Sequence, residues 1–256
     1  AAPTPVISSN INALGAAGAI IITASHNPGN WNGLKFRPSY GGSASSKIVS
    51  EVEQAIEGTH YPKELLSFEE AWNKDLVKEI DPSTLYLIHL PVMADVTSIL
   101  ESDLHILIDN MHGTGSGYFS HVLGSISGSI HELRSERNPI FPGMIQPEPI
   151  EKNLQLLCSL IIKNQASVGI ALDGDADRVL IADEAGLLLD GDQLMATIAE
   201  SWNAAGRLNG GGIVATVMSN GALENHLNGL GLQMMRTQVG DRYVTEYMRA
   251  KDRKST

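Results

Sequence analysis

Apolar residues along this chain fall into two rhythms, short continuous runs and longer stretches with helical spacing, and the two alternate. Ala19-Ile20-Ile21-Ile22 is a β-branched run closed by the turn residues Asn27-Pro28-Gly29-Asn30, and Leu34-Lys35-Phe36 reads as the next strand. Ser45–Glu57 carries Ile48, Val52 and Ile56 on one helical face, and a shorter helical pattern lies within Leu65–Ile80. Leu85–Leu100 reads as one helix and His105–Asp109 as a buried strand. Asn138–Pro149 is a proline-studded loop, and Leu154–Asn164 is helical. Val168–Leu172 and Val179–Ala182 are strands on either side of an acidic loop. Beyond Gly191 the pattern predicts a helix over Leu194–Trp202 and a turn at Gly210-Gly211-Gly212. It continues with a strand over Ile213–Met218, a helix over Ala222–Leu230, a strand over Leu232–Met235 and a helix over Arg242–Arg249. Strand and helix in alternation predict α/β layers. The expected units are residues 1–82, 83–187 and 188–256.

Several segments carry candidate chemistry. Asp173-Gly174-Asp175-Ala176-Asp177-Arg178 sets three carboxylates at alternate positions, a spacing that can converge on one hard cation. A calcium-binding helix–loop–helix is one rival, since Glu184 falls at the twelfth position. Arg178 stands where that loop needs glycine, and the flanks read as strands. A solvated acidic turn is the other rival. Thr23-Ala24-Ser25-His26-Asn27-Pro28 leaves a buried strand through a tight turn, which can hold the Ser25 hydroxyl above a sheet edge, though serine and asparagine also suit ordinary turns. His26 is a candidate for proton movement or phosphate contact. Lys35 is either an exposed strand residue or a cleft cation able to neutralise phosphate or move a proton. His112–Gly117 is a compact turn or a phosphate cradle, and Gly240-Asp241-Arg242 a turn before a helix with Asp241 as its N-cap.

Composition narrows the classes. With 43% hydrophobic and 18% charged residues the 256-residue chain is an ordinary globular sequence. A formal net charge of −11, without a basic stripe, excludes nucleic acid and anionic membrane as expected partners. No apolar run reaches the roughly 18 residues of a membrane span. Ala13–Ile22 lacks the basic flank of a signal peptide. The single cysteine, Cys158, sits on a helix face and permits no internal disulfide, so a cytoplasmic location is expected. A first residue other than methionine is expected to reflect processing or a trimmed beginning.

Taken together, the segments resemble the α-D-phosphohexomutase superfamily. Residues 23–28 look like its phosphoserine loop and 173–178 like its magnesium loop, with Ala176 where glycine is more usual. Asn30–Ala44 and Asp109–Pro149 look like phosphoglucomutase/phosphomannomutase members, whereas Asp190–Met248, including Thr237–Val244, looks more like phosphoglucosamine mutase. The resemblance implies consecutive α/β/α sandwich domains with mixed sheets, truncated at both ends. Residues 1–82 would be the latter part of the first domain, 83–187 the second and 188–256 an incomplete third. The third domain's Glu-x-Ser-Gly-His loop and the fourth domain are expected to be missing, and Ala250–Thr256 to match nothing in the family. The implied activity is interconversion of hexose 1-phosphate and hexose 6-phosphate through a phosphoserine and a bisphosphorylated sugar. The expectation leans to phosphoglucomutase/phosphomannomutase, with phosphoglucosamine mutase or an inactive metal- or sugar-phosphate-binding fragment as alternatives. The resemblance assigns Ser25, Lys35 and His26 to catalysis. It assigns Asp173, Asp175 and Asp177 with the Ser25 phosphate to Mg²⁺, and Arg178, Gly240 and Asp241 to substrate.

Overall fold

A computed structural model describes residues 1–59, 65–124, 129–208 and 212–252. Its middle unit is an α/β/α sandwich around a mixed five-stranded sheet of order β4-β3-β5-β6-β7. The strands are β3 (Ile106–Asp109), β4 (Ile130–Leu133), β5 (Val168–Leu172), β6 (Val179–Ala182) and β7 (Leu188–Leu189). β3 pairs in parallel with β4 and β5, while β5–β6 and β6–β7 are antiparallel. Period-two alternation sends β3 side chains to two separate cores. Leu107 joins Leu154, Leu157 and Ile161 of α7 (Glu151–Asn164). Ile106 and Ile108 join Val96 of α5 (Val96–Leu100) and Leu123 of α6 (Tyr118–Leu123). Helices on both faces explain why β5 is continuously apolar.

The first unit holds α1 (Thr4–Ala13), the antiparallel pair β1 (Gly18–Ile22) and β2 (Leu34–Pro38), α2 (Ser46–Gly58) and α3 (Phe68–Asn73). The β1–β2 register puts Ile22 opposite Leu34, so the chain emerging from β1 must turn and return to the same point. In the third unit α8 (Gly191–Ala204) precedes a parallel β8 (Gly212–Thr216)–α9 (Gly221–Gly229)–β9 (Gln233–Thr237) crossover. α10 (Asp241–Asp252) follows. Ala199, Leu223, Leu227 and Leu232 form that unit's core.

The pattern of apolar positions located most of these elements, with informative differences. The single helix expected over Leu85–Leu100 is two, α4 (Pro82–Met93) and α5, because Ala94 is extended and the Asp95 carboxylate accepts from Ser98 N–H to start a new helix. The pattern in Leu65–Ile80 yields only the short α3, opened by a capping box between Ser67 and Glu70. α1, β4, α6 and β7 had no expectation; α1 is rich in β-branched and polar residues of modest helix propensity. The α2 face bearing Ile48, Val52 and Ile56 is not buried in this structure, and Ile56 is largely exposed. Asp241 is the first residue of α10 rather than a cap preceding it, and its carboxylate turns toward Ser43 instead. The predicted turn at Gly210-Gly211 and the tail residues 253–256 lie outside the described residues.

Candidate active site

The site forms where the loop after β1 meets the β5–β6 loop. Ser25 has a left-handed backbone, φ 54°, an uncommon conformation for a residue with a Cβ and one that concentrates at functional loops. Its N–H donates to Thr23 Oγ1 at 2.8 Å, and both the backbone and the side chain of Asn27 donate to the Ala24 carbonyl, tightening the turn. The hydroxyl thus projected donates to Asp173 Oδ2 at 3.2 Å, across 148 residues of sequence. His26 Nδ1 lies a long 3.5 Å from the same hydroxyl.

Asp173, Asp175 and Asp177 each present a carboxylate oxygen within 4.8 Å of the others. Strands rather than helices flank them, which removes the helix–loop–helix reading. Asp173 is fully buried, and its Oδ1 accepts from the N–H groups of Asp177 and Arg178, both at 3.0 Å. Asp175 Oδ2 accepts from Lys35 Nζ at 2.9 Å, Thr4 Oγ1 at 2.8 Å and Thr23 Oγ1 at 3.1 Å. Its Oδ1 is buried and has no hydrogen-bond partner among the described residues. Lys35 Nζ also reaches Asp177 Oδ2 at 2.8 Å.

Burial, reinforced by the charges of Asp175 and Asp177 and only partly offset by hydrogen bonds, pushes the Asp173 pKa up to about 7. Burial also opposes ionisation of Asp175, but the hydrogen bonds from Lys35 and Thr4 and the Lys35 charge outweigh it and lower that pKa. Burial likewise opposes the Lys35 ammonium; its bonds to Asp177 and Asp175 prevail and raise its pKa. In this arrangement Lys35 is a held cation. Full ionisation of the three carboxylates against one ammonium would leave two negative charges, and a like-charge pair 4.8 Å apart costs roughly 3–4 kcal/mol at an effective dielectric of 20. An orphaned buried carboxylate oxygen, a hard all-oxygen donor set and that charge deficit fit a divalent cation.

Close packing joins the two loops. A Cβ on Gly174 would lie 2.6 Å from the Ser25 carbonyl oxygen and 3.0 Å from Pro147 Cγ, so glycine lets the acidic loop approach. Thr114 N–H donates to the Gly174 carbonyl at 3.0 Å, which gives the His112–Gly117 turn a bracing role. A cleft of 860 Å³ opens from Ser25 and His26 past Lys35, Asp177 and Arg178 to Gly240, Asp241 and Arg242. The proposed catalytic and substrate residues from the three units therefore line one space. Arg178 is held by Glu148 Oε1 at 3.1 Å, and His26 Nε2 approaches the same oxygen at 4.0 Å. Glu148 lies in the proline-studded loop; it and Thr4 carried no signal in the sequence, since nothing local marks a glutamate or threonine that reaches across units.

Comparison with known proteins matches three family models in order along the chain. The descriptions are phosphoglucomutase/phosphomannomutase, alpha/beta/alpha domain I over residues 1–63, domain II over 84–186 and domain III over 190–254. The last match enters the tail that was expected to match nothing. The phosphoglucosamine mutase of Parvibaculum lavamentivorans is 39% identical over 251 residues, covering 96% of this chain and 54% of that protein. That of Mesorhizobium japonicum is 37% identical over 253 residues, covering 97% and 54%. A Thermus thermophilus structure assigned as a phosphomannomutase superposes with a TM-score of 0.86 at 27% identity, covering 98% of this chain and 55% of that one. The chain spans about half the length of the curated relatives it matches. Among the described residues, no helix is long and apolar enough to cross a membrane.

Proposed function

This chain belongs to the α-D-phosphohexomutase superfamily, and we propose that it carries the phosphoserine and metal loops of a phosphoglucosamine mutase. The sequence leaned toward glucose or mannose phosphates; the 37–39% identity to curated phosphoglucosamine mutases favours the amino sugar instead. Residues 1–82, 83–187 and 188–256 are taken as successive domains. The observation that carries the reading is the 3.2 Å contact between the Ser25 hydroxyl and Asp173 inside the acidic triad.

Asp173, Asp175 and Asp177 would hold Mg²⁺, with the buried free oxygen of Asp175 among the ligands. When bound, the ion supplies positive charge against the phosphoryl oxygens. Ser25, as its phosphate ester, gives up the phosphoryl group to a sugar hydroxyl: the Oγ–P bond breaks as the sugar O–P bond forms. Turnover of the resulting bisphosphate in the cleft lets Ser25 recover the other phosphate. Phosphoryl transfer runs through a loose transition state, so these residues act chiefly by placement and charge. Lys35, once the carboxylates turn to the metal, would give up its ammonium proton to solvent, and as the neutral amine would take the proton of the attacking sugar hydroxyl. Arg178 and His26 orient the ester's oxygens, and Gly240 and Asp241 contact the sugar. Burial raises the Cys158 thiol pKa, which makes it a poor nucleophile and leaves it out of the chemistry; the location proposed for the protein is the cytoplasm.

Intact mass spectrometry after exposure to glucosamine 1,6-bisphosphate tests the reading. One phosphate should appear on Ser25, leave on addition of glucosamine phosphate, and never appear in Ser25→Ala. A wild-type Ser25 that stays unmodified in the presence of Mg²⁺ overturns it.

A further inference from the structure

β2 places Lys35 and Arg37 two residues apart, hence on one face of the strand. Lys35 engages the acidic loop of the second unit, and Arg37 engages the third. Arg37 Nη1 donates to Ser43 Oγ, and the Ser43 hydroxyl in turn donates to Asp241 Oδ2. Arg37 Nη1 lies 3.5 Å from that same Asp241 oxygen. Arg37 is nearly buried, with only 12% of its side chain exposed, whereas Asp241 is 71% exposed. The hydroxyl thus relays a cation on the first unit to a carboxylate on the third. Asp241 pays a desolvation cost there, and the bond from Ser43 and the charge of Arg37 outweigh it and hold the carboxylate ionised.

Two neighbouring contacts carry the same junction. The Arg249 guanidinium stacks 3.5 Å above the centre of the Tyr40 ring, and Tyr40 Oη donates to the Ser43 carbonyl at 2.9 Å. A Cβ on Gly42 would lie 2.9 Å from Thr245 Cγ2, so α10 packs directly on the turn after β2. A pair with one member this open to water adds little stability, so a purely stabilising role accounts poorly for a buried arginine. Its geometric effect is larger, because it ties the Gly240–Asp241 turn to the strand that carries Lys35.

We propose that Arg37, acting through Ser43, is a positioning residue that docks the Gly240–Asp241 turn of the third unit onto the catalytic strand, setting the cleft for the sugar phosphate. This rests on the mutase reading only in naming the ligand; the docking itself is independent of it. Loss of Arg37 should leave the metal loop untouched and loosen the sugar side alone.

Calorimetric titration of wild type, Arg37→Ala, Arg37→Lys, Asp241→Asn and the Arg37→Ala/Asp241→Asn double variant tests this, with Mg²⁺ and glucosamine 6-phosphate as separate titrants. Arg37→Ala and Asp241→Asn should each weaken sugar-phosphate binding about fivefold, the upper range for a partly exposed pair. The double variant should be no weaker than either single one, Arg37→Lys should recover part of the loss, and Mg²⁺ affinity should stay at the wild-type value. Amide exchange in the first turn of α10 should quicken in Arg37→Ala. Independent, additive losses, or unchanged exchange in α10, would overturn the proposal. A wild type that binds no sugar phosphate removes the mutase reading instead, and the exchange rate at α10 still decides the docking.

Discussion

Gly174→Ala tests whether the two loops must approach as closely as they do. The added methyl would sit 2.6 Å from the Ser25 carbonyl oxygen, where ordinary contact begins at 3.4 Å. The deficit is 0.8 Å, and Pro147 Cγ at 3.0 Å blocks the obvious retreat. Both obstacles are main chain or a rigid ring, so relief comes by moving the Ser25 loop away from the acidic one. A shift of that size takes the 3.2 Å Ser25–Asp173 contact to about 4 Å, beyond hydrogen-bonding range. Overpacking costs about 1–3 kcal/mol, which lowers Tm by roughly 2–12 °C in a chain of this length. Misplacement near 1 Å at a reacting centre costs about a hundredfold in rate. The assay is the loading rate of the phosphoserine proposed at Ser25, with glucosamine 1,6-bisphosphate as donor, read by intact mass beside a thermal melt. A loading rate within twofold of wild type at unchanged Tm would refute the claim that the Ser25 carbonyl limits how near the acidic loop can come.

Three further outcomes follow from the same coordinates. Ala176 holds a left-handed backbone, φ 54°, so Ala176→Gly should raise stability by about 0.5–1 kcal/mol in denaturant titration. Arg134 forms a two-pronged pair with the fully buried Asp109 and also donates to the Asn153 carbonyl at 2.9 Å. Arg134→Ala strands that carboxylate and should cost about 3–5 kcal/mol in the same titration. Because the Asp173 pKa is raised to about 7, protons compete with metal below that pH, whereas an ordinary carboxylate would be ionised throughout. Mg²⁺ affinity measured by calorimetry should be about tenfold tighter at pH 8 than at pH 6, and equal affinities would contradict the burial argument.

Much of this protein was legible from its residues in order. A continuous apolar run marks β5 because a strand covered on both faces has no polar side to show. Alternate aspartates between small residues mark the acidic loop, and the turn residues after β1 mark the Ser25 loop, since both chemistries are spelled within six residues. Capping by Asp95, a local effect, was missed because an apolar period crosses the break without interruption. Tertiary structure alone decided which loops meet. Thr4, Lys35 and Asp175 share one hydrogen-bonded cluster, Glu148 bridges to Arg178 and His26, and Arg37 reaches Asp241 through Ser43. Such contacts depend on how sheets and helices bury their apolar faces, and packing fixes distance between residues that sequence separation leaves free.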